Sequence, residues 1–331
     1  MKKVLERLHE NEKLSKEEAK EILKRISSRE FSDVQITGFI SVFQMRDITL
    51  DELQGFREAL MDLCLKLDFS EFDTIDMCGT GGDGKNTFNI STLSSFVVAG
   101  AGYKVAKHGN YGVSSVSGSS NVLEAMGYKF TNDEKELRDQ LRDANITFLH
   151  APLFHHAMAA VGPVRKEMKM KTFFNMLGPL VNPSNPQNQI SGVFSRTLAR
   201  VYQYFFQNQN DKKYAVIYGL DGYDEISLTD DFIVRDNKGK HLYNPEILGL
   251  KRVKQSDIFG GNTIEEAADI FRNIIDGKGT HAQNDVVCAN AALAIQIMND
   301  DDRSFLECFE EAKESLHGGK AKKSLQLITG Y

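Results

Sequence analysis

The sequence predicts an α/β protein with a mostly parallel open sheet flanked by helices and a smaller, all-helical domain. Residues 1–67 contain helical patterns only, whereas strand-like and helix-like segments alternate from about residue 72. Such alternation is typical of a parallel sheet covered by helices. Glycine-rich and acidic segments follow several of the predicted strands. Because ligands of open α/β sheets bind at the carboxyl ends of the strands, these segments are the first candidates for a functional site.

The N-terminal region is predicted to be a helical layer. Ser15-x-x-Glu18 and Thr49-x-x-Glu52 are capping boxes, which open helices. The apolar residues after the second box follow the three- or four-residue spacing of a buried helix face: Leu53, Phe56, Leu60, Leu63 and Leu67. This stripe is expected to form core or a subunit interface.

The alternating region yields a set of predicted elements and a domain division. Strands are expected at 72–77, 103–106, 146–150 and 214–218, with a hairpin around 236–239. Helices are expected from a Thr131-x-x-Glu134 cap to about Ala144, over 153–171 and over 198–206, and the region from Thr263 is expected to be mainly helical. We expect a helical domain of residues 1–68, with an insertion of about 155–188 packed onto it. Residues 69–154 and 189–331 then form the α/β domain.

Two loops carry the strongest functional signal. Gly79-Thr80-Gly81-Gly82-Asp83 follows the first strand and leads to a helix that opens near Asn89. Lys107-His108-Gly109-Asn110 follows the second strand and precedes a stretch rich in serine and glycine, 112–120. Glycines let backbone N–H groups approach an anion, and a helix N-terminus adds unpaired donors. Two such loops predict one extended phosphorylated ligand held from two sides.

Other interpretations of the glycine loop fit less well. The segment from Gly79 to Lys85 departs from the P-loop pattern, because Asn86 stands where Ser or Thr is required. The dinucleotide pattern G-x-G-x-x-G is matched, but no acidic residue follows about 20 positions later. A tight turn without a ligand remains the alternative.

A pair of acidic residues follows the predicted strand 214–218. Asp224 and Glu225 would lie on the same sheet edge as the glycine loop, where they could hold hydrated Mg²⁺ together with substrate phosphates. Asp221 is a weaker candidate, since an Asp-Gly pair is already explained as a turn. The alternative is a solvated acidic loop.

One arginine and two histidines lie in the predicted insertion. Arg165 could bind a substrate carboxylate through both guanidinium nitrogens, although a surface ion pair is the commoner use of such a residue. His155 and His156 could be acid–base groups or packed side chains. No Ser-His-Asp or Cys-His arrangement is present, and Cys78 is expected to be a small buried residue rather than a nucleophile.

Composition excludes several classes of protein. The net charge of −6 argues against a nucleic-acid-binding surface. No apolar run approaches the about 18 residues that span a membrane, and Met1–Arg7 is not followed by a signal-peptide core. The four cysteines are scattered without C-x-x-C pairs. We expect a cytoplasmic protein without a zinc site or disulfide framework.

The motifs together resemble those of the anthranilate phosphoribosyltransferase family, over essentially the whole chain and in the family's order. The matching segments are Gly79–Asp83, Asn89–Thr92, Lys107–Asn110, Val164–Glu167, Asn175–Pro183 and Asp224–Glu225. The resemblance implies a nucleoside phosphorylase-like phosphoribosyltransferase fold. It also implies transfer of the phosphoribosyl group of phosphoribosyl pyrophosphate to the amine of anthranilate, a step of tryptophan biosynthesis.

The resemblance also implies roles for individual residues. Lys107, Asn110 and Arg165 would be central to catalysis, and Ser91, Asp224 and Glu225 would bind two Mg²⁺ ions. Anthranilate would contact Gly79, Asn110, Pro152, His155, Met158 and Arg165. Phosphoribosyl pyrophosphate would be held by Gly79, Gly82, Asp83, Thr87, Asn89, Ile90, Ser91, Thr92, Lys107, His108, Gly109, Asn110, Tyr111, Gly112, Val113, Ser114, Ser115 and Ser119. A homodimer joined through the helical domains is implied as well.

Four positions depart from the family pattern. Tyr111 stands where the family usually has Arg, and His156 stands where Pro is usual. Val116 and Asn121 stand where Lys and Asp are frequent. None of these positions belongs to the phosphate or magnesium motifs, so the departures concern loop closure more than the reaction.

Two other functions are weighed against this one. A pyrimidine-nucleoside phosphorylase shares the fold and a lysine-led loop, but it uses inorganic phosphate and has no need of Asp224 and Glu225 as a magnesium site. A non-catalytic paralogue that binds nucleic acid would have a basic surface and eroded magnesium ligands, whereas this chain is acidic and retains both carboxylates.

Overall fold

The fold is described by a computed structural model for residues 1–112, 116–209, 211–299 and 302–331. The strands within these ranges are β1 Thr74–Met77, β2 Lys104–Gly109, β3 Ile146–His150, β4 Asn188–Gly192, β5 Lys213–Gly219, β6 Phe232–Asp236 and β7 Gly239–Tyr243. The α-helices are α1 Lys2–His9, α2 Lys16–Ser27, α3 Asp33–Met45, α4 Leu50–Leu63, α5 Ile90–Gly100, α6 Ser119–Ala125, α7 Glu134–Ala144, α8 Ala151–Phe154, α9 Gly162–Met168, α10 Arg196–Gln207, α11 Ile264–Ile275, α12 His281–Met298, α13 Phe305–His317 and α14 Lys320–Thr329.

The seven strands form one sheet in the order β3-β2-β1-β4-β5-β6-β7. Strands β1 to β5 are parallel, and β6 and β7 join antiparallel at one edge through the predicted hairpin. Helices flank this sheet, and a helical bundle precedes it. The predicted fold class is therefore confirmed.

The strand order reverses between β1 and β4. Strands β2 and β3 extend the sheet from one side of β1, whereas β4 and β5 extend it from the other. At this point the backbone N–H of Thr80 donates to the carbonyl of Gly192 at 2.9 Å. A crevice opens at the carboxyl ends of the strands where the order reverses, and it is the preferred ligand site of such sheets.

Two hydrophobic clusters stabilise the main parts of the molecule. One packs α5, α11 and α12 against the sheet and includes Phe96, Phe148 and Phe271. The other contains α2, α3 and α4, and Phe56 of α4 stacks on Phe173 with ring centroids 4.6 Å apart. Each fully buried phenylalanine contributes about 2–3 kcal/mol through burial. Because Phe173 belongs to the predicted insertion, its packing supports the division into helical and α/β domains, which stays a proposal.

The first four helices agree with the sequence in most details. Both capping boxes are formed, and Leu53, Phe56 and Leu60 are buried. The predicted stripe is wrong at its far end: Leu63 is 40% exposed in the last turn of α4, and Leu67 lies beyond that helix in a separate small cluster. Since the buried part of the stripe packs within the chain, it is core rather than an interface.

Strand β1 begins at Thr74 rather than at residue 72, and two further predicted boundaries are also wrong. Strand β2 continues to Gly109 because its parallel pairing with β3 extends to His150. Lys107 and His108 are therefore strand residues rather than loop residues. Helix α7 is capped by Asp133, which accepts from the N–H of Glu136, whereas the Thr131 hydroxyl only accepts from the N–H of Asp133.

The predicted helix over 153–171 is broken into three short pieces. Helix α8 is followed by a 3₁₀ turn, His156–Ala160, and then by α9. Pro163 interrupts the pattern because proline lacks an N–H donor, and it occupies the first turn of α9, where that donor is not needed. Among the described residues, no helix is long and apolar enough to cross a membrane.

Candidate active site

A cavity of about 550 Å³ opens at the carboxyl edge of the sheet, beside the point where the strand order reverses. Its wall contains most of the predicted site residues: Gly79, Gly82, Asp83, Thr87, Asn89, Ser91, Thr92, Lys107, His108, Gly109, Asn110, Tyr111, Gly112, Ser119, Pro152, His155, Met158, Arg165, Asp224 and Glu225. Ile90 does not line it, because its side chain is fully buried in the core. Val113, Ser114 and Ser115 lie outside the described residues.

The glycine loop requires glycine for two separate reasons. Gly81, Gly82 and Gly84 have φ angles of 60°, 75° and 76°, in the region that L side chains rarely adopt. At Gly79 the constraint is space, since a Cβ atom there would lie 2.6 Å from the Asp224 carboxylate. The loop therefore presents bare backbone to the cavity, as an anion-binding loop does.

The acidic pair faces this loop. Asp224 accepts from the N–H of Gly81 at 2.8 Å, and Glu225 accepts from the N–H of Ser91, in the first turn of α5, at 2.9 Å. Burial, together with the negative charge of Asp83, raises the pKa of Asp224 to about 7. Burial and the neighbouring Asp224 raise the pKa of Glu225 to about 8. Two crowded carboxylates with raised pKa values indicate a site that a cation would stabilise.

Gly192 is a site residue that the sequence analysis missed. It ends β4, and a Cβ atom at this position would lie 1.5 Å from the backbone oxygen of Asp224. Only glycine therefore lets the acidic pair approach the glycine loop across the sheet. The available signal was a glycine that directly ends a buried strand pattern.

Lys107 lies beneath the glycine loop. Its side chain is buried, and its ammonium group donates to the carbonyl of Met77 at the end of β1. The nearby Asp76 attracts this ammonium group and also accepts from the backbone N–H of His108 at 3.1 Å. The sequence analysis missed Asp76, although a carboxylate within an otherwise buried strand indicates a residue with a charged or hydrogen-bonding partner.

Two histidines support the segment that closes the other end of the cavity. His108 Nδ1 lies 3.0 Å from the carbonyl of Gly178, and His155 Nε2 lies 2.7 Å from that of Val181. Their rings meet edge to face at 5.4 Å. Burial lowers the pKa of His108 to about 4 and that of His155 to about 3, so both are neutral near pH 7. For His155 the packed interpretation is thus favoured over a cationic acid–base role, whereas His156 is an exposed side chain.

Arg165 presents its guanidinium group to this end of the cavity. One nitrogen lies 3.4 Å from the side-chain oxygen of Asn175, and the group lies over the ring of Phe174 at 5.4 Å. Burial lowers the pKa of Arg165, which nevertheless stays charged. Among the described residues it has no acidic partner, contrary to the ion-pair alternative. Its charge is therefore available to a carboxylate ligand.

Two of the positions that depart from the family pattern, Tyr111 and Asn121, have partners of their own. The Tyr111 hydroxyl donates to Glu124 at 2.7 Å, and the side-chain oxygen of Asn121 accepts from the backbone N–H groups of Gly112 and Gly118. Asn110 accepts from the N–H of Tyr111 at 2.8 Å. The start of the loop after β2 is therefore held without the usual arginine.

Comparison with known proteins identifies the family. Residues 71–322 match the model described as "Glycosyl transferase family, a/b domain", and residues 2–64 match "Glycosyl transferase family, helical bundle domain". A relative from Flavobacterium johnsoniae named anthranilate phosphoribosyltransferase is 58% identical over 328 residues, covering 99% of this chain and 98% of the relative. This chain belongs to the anthranilate phosphoribosyltransferase family.

Solved structures of anthranilate phosphoribosyltransferases share the whole fold. The enzyme from Thermus thermophilus is 31% identical with a TM-score of 0.90, and the match covers 98% of each chain. The enzyme from Saccharomyces cerevisiae in complex with PRPP and Mg is 25% identical with a TM-score of 0.87, covering 96% of this chain and 93% of that one. These names favour the transferase over the phosphorylase and over the nucleic-acid-binding paralogue.

Proposed function

We propose that this protein transfers the phosphoribosyl group of phosphoribosyl pyrophosphate to the amine of anthranilate and releases pyrophosphate, in tryptophan biosynthesis. One observation carries the proposal: a single cavity joins an anion-binding glycine loop and a carboxylate pair at one end to the partly buried Arg165 at the other. This arrangement fits a phosphorylated donor and a carboxylate-bearing acceptor.

The donor would lie along the sheet edge. Gly79, Gly82 and Asp83 are proposed to contact its pyrophosphate, and the residues at the start of α5 its phosphates: Thr87, Asn89, Ile90, Ser91 and Thr92. Because the Ile90 side chain is buried, only its backbone could take part. Residues 107–115 and Ser119 are proposed to close over the phosphoribosyl group, and Lys107 would add positive charge from below.

The residues present suit magnesium. Asp224, Glu225 and the hydroxyl of Ser91 offer hard oxygen donors, which Mg²⁺ prefers. The Ser91 hydroxyl is buried and has no hydrogen-bond partner in the described part of the chain. We propose that these three side chains, together with substrate phosphates, hold two Mg²⁺ ions. When bound, the metal would neutralise the charge that develops on the leaving pyrophosphate.

Anthranilate would lie at the other end of the cavity. Arg165 is proposed to bind its carboxylate and Asn110 to orient it, with Gly79, Pro152, His155 and Met158 along its approach. The aromatic amine is already neutral near pH 7, so no strong base is required. The neutral His108 and His155 agree with this, since a cationic imidazole beside the amine would oppose charge development on the attacking nitrogen. Catalysis would rest on positioning and on stabilisation of the leaving group.

A homodimer is proposed as the working assembly. Val34 and Met45 of α3 are 82% and 89% exposed and lie eleven residues, about three turns, apart on one helix face. These two exposed apolar side chains suit a subunit contact better than the buried stripe of α4. The four cysteines are free thiols, which suits the cytoplasm that we propose as its location.

The direct test is to follow anthranilate fluorescence in the presence of the purified protein, Mg²⁺ and phosphoribosyl pyrophosphate. We expect a decay that needs all three components, with pyrophosphate released in equal amount. No decay beside an active control enzyme would refute the proposal and direct attention to phosphate-dependent nucleoside cleavage.

Arg165→Ala tests the acceptor end. We expect the KM for anthranilate to rise about tenfold or more, because a partly buried charge-assisted contact is lost, with a KM for the donor within about twofold. Arg165→Lys keeps the charge without the planar fork and should be intermediate. An equal loss of affinity for both substrates would contradict the assigned role.

A further inference from the structure

We propose that Lys85 and Lys171 form a clamp that holds the pyrophosphate group of the donor from both sides of the glycine loop. The inference rests on the proposed function, because it adds two binding residues to the same site. Neither lysine belongs to the set of site residues implied by the family resemblance.

Lys85 flanks the loop from the side of α5. It lines the cavity, and its backbone N–H donates to the side chain of Asp83 at 2.9 Å. Its ammonium group lies 4.7 Å from the centre of the Tyr223 ring. Since Tyr223 directly precedes Asp224, Lys85 is held next to the proposed magnesium ligands.

Lys171 approaches the loop from the insertion. It follows α9, and its alkyl chain covers Gly82, where a Cβ atom would lie 3.1 Å from Cδ and 3.3 Å from Cε of Lys171. Its ammonium group lies 5.3 Å from the centre of the Phe194 ring, just beyond β4. This lysine therefore spans the cleft between the insertion and the sheet.

The two lysines share an unusual environment. Each rests its ammonium group on an aromatic ring, and neither ammonium forms a hydrogen bond or ion pair with the described residues. Both attract the Asp83 carboxylate between them, which opposes the effect of burial on its pKa. A lysine ammonium over a ring uses none of its three N–H donors in that contact, so it can still donate to a phosphate.

The negative charge at one end of the cavity favours two further cations beside the glycine loop. The end of the cavity at which the pyrophosphate would bind carries the carboxylates of Asp83, Asp224 and Glu225. Two other cations that line the cavity are placed differently. The ammonium group of Lys107 donates to a backbone carbonyl beneath the loop, and Arg165 lies at the end where the acceptor would bind. Pyrophosphate adds several negative charges here, and its charge grows as the bond to the ribose breaks. Two lysines that flank the loop would balance this charge and fix the leaving group.

The test measures binding of Mg²⁺-pyrophosphate by calorimetry in Lys85→Met, Lys171→Met and the double variant, together with steady-state kinetics. Methionine keeps the apolar contacts with Gly82 and with the rings, so the fold should be retained. We expect each single variant to bind pyrophosphate and the donor about five- to tenfold more weakly. The KM for anthranilate should stay within about twofold, and arginine at either position should restore most of the affinity.

Lys313→Met is the matched control, because Lys313 also lies over a phenylalanine ring, that of Phe309, but on α13 away from the cavity. It should leave pyrophosphate binding unchanged. Wild-type affinity in the double variant, or no pyrophosphate binding by the wild type, would overturn the clamp. A parallel loss of anthranilate affinity would reduce the lysines to a structural role. Lysine-dependent pyrophosphate binding without transferase activity would refute the proposed function and leave the clamp standing.

Discussion

At the scale of single residues, the site is defined by groups that are held away from their ordinary protonation behaviour. Asp224 and Glu225 share a buried corner, whereas His108 and His155 are buried with their rings against backbone carbonyls. The two carboxylates can bind a cation, whereas the two imidazoles stay neutral. The two ends of the cavity thus differ in chemistry as the two proposed substrates do.

The carboxylate pair makes stability depend on pH in a defined direction. Its folded pKa values, about 7 and 8, lie above the value of about 4 for an unfolded carboxyl. Proton binding therefore stabilises the folded state fully below about pH 4, and this stabilisation is lost as the pH rises through the folded pKa values. We expect the ligand-free protein to lose thermal stability between about pH 4 and 8, and Mg²⁺ with pyrophosphate to restore it. Thermal unfolding across this range is the measurement. Asp224→Asn with Glu225→Gln should remove the loss; an unchanged pH profile would contradict the titration.

Gly192→Ala should disable the site by displacing the acidic pair. The methyl group would collide with the Asp224 backbone and force the acidic loop away from Gly81. We expect about a hundredfold or greater loss of kcat, because a displacement near 1 Å is enough for such a loss. Kinetics at saturating Mg²⁺ measures it. Gly162→Ala is the comparison, because Gly162 also lines the cavity, has no positive φ, and would place its Cβ more than 4 Å from the other described atoms. Equal effects of the two changes would point to general strain instead.

At the scale of elements, the sequence predicted what local patterns determine. The capping boxes of α2 and α4, the strand 146–150 and the hairpin near 236–239 are all found. Contacts between distant segments could not be predicted in this way. Asp76, Gly192 and Lys171 acquire their positions only when β1, β4 and the insertion meet, and Pro163 breaks a helix that its apolar spacing alone favours.

Glu52 shows how one side chain joins several helices. It is fully buried, accepts two hydrogen bonds from Arg46 at the end of α3, and accepts from the N–H groups of Leu14 and Thr49. Burial alone would raise its pKa, but these hydrogen bonds outweigh burial and lower it. The carboxylate thus ties the ends of three helices together.

Glu52→Ala should destabilise the helical bundle by about 3 kcal/mol, because the buried Arg46 would lose its partner. Denaturant unfolding gives the value. The exposed Glu10→Ala on the same bundle should change stability by less than about 0.5 kcal/mol. A small effect of Glu52→Ala would mean that water or another acid replaces the carboxylate.

At the scale of the whole molecule, assembly is predicted to depend on the exposed face of α3. Val34→Arg together with Met45→Arg should yield a monomer if this face joins two subunits, because two buried positive charges would face their symmetry copies. Sedimentation velocity distinguishes the states. Leu306→Arg, an equally drastic change at an exposed leucine of α13, should leave the mass unchanged. A dimer that survives the double change would place the interface elsewhere.

The contact between Lys171 and Gly82 has a consequence for protein engineering. Arg165, which we propose to bind the acceptor, lies in the insertion, whereas the glycine loop and the acidic pair, which we propose to bind the donor, follow strands of the sheet. A hybrid that takes residues 1–68 and 155–188 from a relative would therefore exchange acceptor recognition while keeping donor chemistry. In such a hybrid, residue 171 would come from the relative, whereas Gly82, which it contacts, would be retained. Hybrids should therefore be active only where the side chain that the relative supplies at position 171 fits the retained glycine loop.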